Sequence, residues 1–110
     1  MPFNTFKNNQ TYVSAVTMDA DITGDTIDAE GMNSCSFTCV NTAGSSPVGT
    51  LYIQVSNDES EWVNTTATAA INAAETNLLE LDNLPARFVR IFYDYTSGTA
   101  ALSVAFTMKS

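Results

Sequence analysis

Apolar and small polar residues trade places one for one along most of this chain, and that period restricts it to strands. In "TAALSVAFTM", Ala100, Leu102, Val104, Phe106 and Met108 alternate with Thr99, Ala101, Ser103, Ala105 and Thr107. Side chains of a strand point to opposite faces in turn, whereas a helix repeats every 3.6 residues. The same alternation sets Cys35, Phe37 and Cys39 against Ser34, Ser36 and Thr38, and it places Leu51, Ile53 and Val55 of "TLYIQVS" on one inner face. "QTYVSAVTM" is rich in strand formers with a less regular pattern. "ARFVRIFYDY" is apolar on both faces, which suits a central strand or one covered by a partner.

Turn residues punctuate these runs at Gly24, "AGSSPVG" (43 to 49), "NDES" (57 to 60), "NLP" (83 to 85) and "TSG" (96 to 98). The spacing predicts about seven or eight short antiparallel strands, the mark of an all-β sandwich or barrel. The expected core includes Phe37, Leu51, Ile53, Val55, Val89, Ile91, Leu102, Val104 and Phe106. "TTATAAINAAETNLLEL" resists this pattern. It is Ala-rich, and Ala67, Ile71, Ala74 and Leu78 also fit a helical face. The expectation there is a loop leading into a strand at Leu78 to Leu81, with a helical turn as the alternative. Neither an internal repeat nor a linker divides the 110 residues, so they read as one domain, 1–110. A short N-terminal arm, about residues 1–10, has apolar area only at Phe3 and Phe6 and is expected to order against a neighbour.

The formal charge is −8, from twelve acidic and four basic residues. Such a surface repels phosphate, and Lys7, Arg87, Arg90 and Lys109 form no basic stripe, which argues against nucleic-acid binding. No apolar run approaches the roughly 18 residues of a membrane span. The first ten residues carry no apolar core of a secretory signal. Cys35 and Cys39 lie on one strand face about 13 Å apart, beyond the roughly 7 Å between Cα atoms that a disulfide permits. They are expected to be buried free thiols, which favours folding in a reducing cytoplasm.

The chain has no histidine. A histidine-based nucleophile and histidine-ligated zinc are therefore excluded, and two thiols make a poor zinc site. No phosphate-cradling glycine loop is present. Glu59 and Glu61 form the nearest carboxylate pair, but they sit beside a hairpin tip where neither a cleft nor a raised pKa is expected. The expectation is a protein that is not an enzyme and holds no cofactor. One stretch, "DADITGDTIDAE", mimics a calcium loop through Asp19, Asp21, Thr23, Asp25 and Glu30. Its flanks read as strands rather than helices, and Thr26 stands where an apolar residue is needed. It is read as an acidic loop between strands, with calcium as the weaker alternative.

"LYIQVSNDESEWVNTT" and "LPARFVRIFYDYTSGTAALSV" together resemble the core hairpin and the arginine-bearing strand of discoidin-type, galactose-binding-like jelly rolls. The short length and the "TSGTAALSV" ending look more like small β-sandwich proteins of tailed-phage virions, including capsid decoration (cement) proteins. The resemblance covers residues 49 to 108. In the hairpin, Asp58 is expected to accept backbone N–H bonds and close the turn, with Trp62 covering one end of the core. Arg87 and Arg90 are expected to find carboxylate partners. If Val89 and Ile91 face the core, Phe88 and Phe92 lie opposite, flanking Arg90. With Phe3 and Phe6 they make a candidate interface of the aromatic and arginine composition that interface hot spots favour.

These readings converge on a structural virion protein, a decoration protein on the capsid surface, folded in the host cytoplasm. Its expected partners are the major capsid protein and sister subunits in a homo-oligomer, dimer or trimer, without nucleic acid or membrane. The alternative is a carbohydrate-binding module or adhesin of a phage tail or fibre, stacking sugars on Trp62, Tyr93 or Tyr95.

Overall fold

The computed structural model describes the backbone of residues 6–109 and the side chains of residues 16–42 and 46–109. Among the described residues seven strands follow one another: β1 (Phe6–Thr17), β2 (Ile22–Thr23), β3 (Ile27–Asp28), β4 (Ser34–Ser56), β5 (Val63–Ile71), β6 (Glu75–Leu81) and β7 (Phe88–Lys109). All pairings are antiparallel, and no helix occurs among the described residues.

Two long strands organise everything else. β4 and β7 pair from Ser34↔Lys109 to Ser56↔Phe88, with register shifts between Thr42 and Gly49. Those shifts, with Ser46 and Gly98 at positive φ, break the ladder into two halves. A straight strand of this length would run about 70 Å at roughly 3.3 Å per residue, yet the longest extent of the molecule is 49 Å. The ladder bends, as bulged strands do. In one half β6 flanks β4 and β1 flanks β7; in the other β5 flanks β4, while β2 and β3 lie along β7. One bent, hydrogen-bonded antiparallel sheet thus wraps around a single core.

Alternate residues of both halves meet in one core cluster. The nine expected core residues are all buried, and Met18, Ile71, Leu79, Tyr93 and Met108 join them. Phe37 and Phe106 stack across the β4–β7 pair with ring centroids 5.9 Å apart. Cys35 and Cys39 are free and buried on this face, and burial pushes both thiols up to about 12.

Three expectations are corrected. The Ala-rich stretch does contain the expected strand at Leu78 to Leu81, within β6, but what precedes it is neither a loop nor a helical turn: β5 runs to Ile71 and β6 begins at Glu75. Thr65, Ala67, Ala69 and Ile71 turn toward the core in alternation, and this pairing overrides the helix preference of alanine. Asn41 Nδ2 ties the intervening turn down by donating to the Ala73 carbonyl at 2.6 Å. The acidic stretch is no free loop, because Ile22, Thr23, Ile27 and Asp28 pair with β7. The arm expected over residues 1–10 is, from Phe6 onward, a strand: Phe6–Asn9 pair with Phe106–Lys109 of the same chain. Phe3 lies outside the described residues, as does the side chain of Phe6.

Candidate functional site

The outer face of the half built on residues 49–56 gathers side chains that the core does not use. Register sets them in rows across β7, β4 and β5. Phe92 faces Tyr52, which faces Thr68; Arg90 faces Gln54, which faces Asn64; Phe88 faces Ser56. The middle row is a chain of hydrogen bonds. Arg90 Nε donates to Gln54 Oε1 at 2.8 Å, and Gln54 Nε2 donates to Asn64 Oδ1 at 2.8 Å. Because arginine only donates, it fixes which way the Gln54 amide points.

Trp62 completes this face. The Arg90 guanidinium lies over its ring, 4.0 Å from the centroid, within the range of a cation–π contact. The indole Nε1 donates to the Glu59 carbonyl at 3.2 Å, which holds the ring in place. That geometry depends on the preceding turn. Ser56 Oγ accepts from the Asp58 and Glu59 amides and donates to Asp58 Oδ1, which also accepts from the Ser60 and Glu61 amides. The Glu61 and Ser60 amides, then the Ser56 hydroxyl, hold the Asp58 carboxyl below its ordinary value. The expected role of Asp58 in closing the hairpin is met. The expected place of Trp62 over one end of the core is corrected, since it lies outside the core cluster and stacks on outward-facing Arg90.

Of the interface candidates, Arg90 and half-buried Phe92 lie on this face. Phe88 does too, but it is only 9% exposed. The Arg87 guanidinium sits 5.0 Å above its ring, so Phe88 is corrected from an exposed contact to a covered one. Arg87 is itself held by Asp28, with Nη2–Oδ2 at 2.8 Å and Nε–Oδ1 at 3.1 Å, and by Glu30 at 3.7 Å. Its expected carboxylate pairing is met, whereas Arg90 takes an amide oxygen.

Two of the three stacking candidates are corrected as well. Tyr93 is fully buried, and its hydroxyl has no hydrogen-bond partner among the described residues. Burial, with Tyr95 and Asp94 nearby, raises its pKa. Tyr95 packs against the core cluster, donates its hydroxyl to the Gly98 carbonyl at 3.1 Å, and gives its amide to Asp21 Oδ1 at 2.8 Å. Both share the inward parity of Val89 and Ile91. Residues 19–30 do not converge on a cation site. Asp21 is spent on Tyr95, Glu30 lies beside Arg87, and no three acidic or sulfur ligands cluster among the described residues. Sequence reasoning missed Tyr52, Gln54 and Asn64, although Tyr52 and Gln54 occupy the outer positions of the "TLYIQVS" alternation.

Residues 3–109 match the family described as "Uncharacterised protein YqxG N-terminal domain". The chain belongs to this family. No curated protein matches it. Among solved structures, the SPBc2 prophage-derived protein YomS superposes with a TM-score of 0.68 at 8% identity, covering 100% of this chain and 97% of YomS. The PBSX exported protein XepA gives a TM-score of 0.70 at 14% identity over 94% of this chain and 36% of XepA. PirA gives 0.58 at 13% identity, covering 100% and 95%. At these identities the likeness is one of fold. The YqxG-family chain therefore shares its strand arrangement with proteins of different overall length.

Proposed function

We propose that this YqxG-family chain is a non-catalytic structural module of a phage or prophage particle, which attaches to its partner through the outer face around Arg90. The carrying observation is the construction of that face. Arg90 is oriented by Gln54 and Asn64, stacked on Trp62 and flanked by the Phe92–Tyr52 pair. A preorganised arginine beside half-exposed aromatics loses little side-chain freedom on binding. The end-to-end fold likeness to a prophage-derived protein supports a phage setting.

Within that setting the reading is a decoration protein on the capsid surface, meeting the major capsid protein and sister subunits. The carbohydrate reading is weaker. Tyr93 and Tyr95 face the core, and one face of Trp62 is already occupied by Arg90. The test is to induce the strain that carries the gene, band particles on a density gradient, and probe the fractions with antibody against the chain. Co-migration with filled capsids supports decoration, and co-migration with detached tails moves the module to the tail. Recovery only in the soluble fraction overturns the proposal.

A further inference from the structure

One end of the fold stays open beside β5. Val63 sits opposite Val55 in register, yet it is 62% exposed where Val55 is 8% exposed. Across from Val63 runs the segment that leads into β7, and between them lies a groove of about 490 Å³. That size falls within the roughly 300–1,000 Å³ of small-ligand sites. Val55, Val63, Pro85 and Ala86 give it apolar walls, and Asp58 and Glu61 stand on its rim.

Among the described residues the rim charges have no cation of their own. All the hydrogen bonds to the Asp58 carboxylate fall on Oδ1, which leaves Oδ2 for a partner. Those bonds lower its pKa and keep it ionised. The Glu61 carboxylate makes no hydrogen bond or ion pair among the described residues. Arg87 is engaged with Asp28 and Glu30, and Arg90 with Gln54 and Trp62. Two carboxylates without a third ligand do not make a metal site. An apolar channel with an anionic rim fits a side chain that is aliphatic along its stem and cationic at its tip.

We propose that this groove receives a lysine or arginine side chain, together with an adjacent aliphatic residue, from an extended segment of a partner protein. The inference goes beyond the Arg90 face. The groove lies on the core side of β5, whereas Arg90 lies on the outer side and takes no part in its lining, so Arg90→Ala disables one surface without touching the other.

The probe is a blocked pentapeptide carrying lysine between leucine and valine, titrated into the 15N-labelled chain. Saturable amide shifts confined to residues 55–65, 84, 86 and 87 are expected. The double variant Asp58→Asn, Glu61→Gln keeps the Oδ1 acceptor that closes the turn and removes both charges. It should bind about tenfold more weakly, since each exposed ion pair accounts for no more than about fivefold. Arg90→Ala should bind the peptide like the parent chain. The same peptide with glutamate in place of lysine should not bind. Equal binding by the double variant, shifts spread over the acidic surface without saturation, or no shifts at millimolar peptide would each overturn the proposal.

Discussion

Replacing Gly49 by alanine should damage this fold more than such a small change suggests. Gly49 lies in the bend of β4, directly beneath the Tyr93 ring. A Cβ built there meets the Tyr93 hydroxyl and Cζ, and approaches the Asp94 carbonyl oxygen to 2.6 Å. The glycine is not in the left-handed region, so the penalty is steric rather than conformational. The tyrosine is fully buried and the carbonyl belongs to the paired β7 backbone, so neither yields without moving the sheet. Overpacking of this kind costs about 1–3 kcal/mol. For 110 residues, the usual unfolding entropy per residue converts each kcal/mol to about 4 °C in melting temperature. Gly49→Ala should therefore melt about 4–12 °C lower. Tyr93→Phe removes a buried hydroxyl that has no hydrogen-bond partner among the described residues, so it should be neutral or stabilise by up to about 1 kcal/mol. The double variant should recover only part of the loss, because the Asp94 oxygen remains. Thermal melts followed by circular dichroism decide the matter. An alanine variant that melts within about 1 °C of the parent, or a phenylalanine variant that loses about 2 kcal/mol, would refute this packing.

Cys35 and Cys39, with pKa values pushed up to about 12 by burial, should resist a thiol reagent at pH 8 until the protein is unfolded, when both react. Fast labelling of the native protein would contradict their placement. Leu51→Ala and Leu102→Ala, at fully buried sites, should each destabilise by about 2–5 kcal/mol in denaturant titrations through the cavity they leave. Asp58 has a folded pKa below its ordinary 3.8, so its stabilising contribution is complete above that value and is lost as pH falls through the lower one. The stability gap between the parent and Asp58→Ala should accordingly narrow between about pH 5 and about pH 2. A gap that stays constant would show that the charge is irrelevant to the turn.

Much of the architecture was legible in the side-chain period. Phe37, Leu51, Ile53, Leu102 and Val104 declare their faces through alternation with small polar residues, and the structure buries every one of them. The period fails where its inner residues are alanines. In β5 the inner residues Ala67 and Ala69 stand out little from their neighbours, so Ala67, Ile71, Ala74 and Leu78 mimic a helical stripe, and only pairing with β4 settles the matter. Alternation also assigns a face without saying what covers it. Phe88 points outward as expected, but the guanidinium of Arg87 closes over it, a contact that no local pattern announces. Tyr93 was readable: it shares parity with Val89 and Ile91, and that parity alone places it inside. The Arg90–Gln54–Asn64 row needs the register of three strands, and β5 was the strand the sequence concealed.

The central claim is that the face around Arg90 holds the chain to its particle. The direct measurement is to titrate the purified chain onto particles from a strain lacking the gene, beside a Trp62→Ala, Arg90→Ala variant whose circular dichroism matches the parent. The account predicts saturable binding by the parent and at least tenfold weaker binding by the variant. Equal occupancy by the two proteins would contradict it.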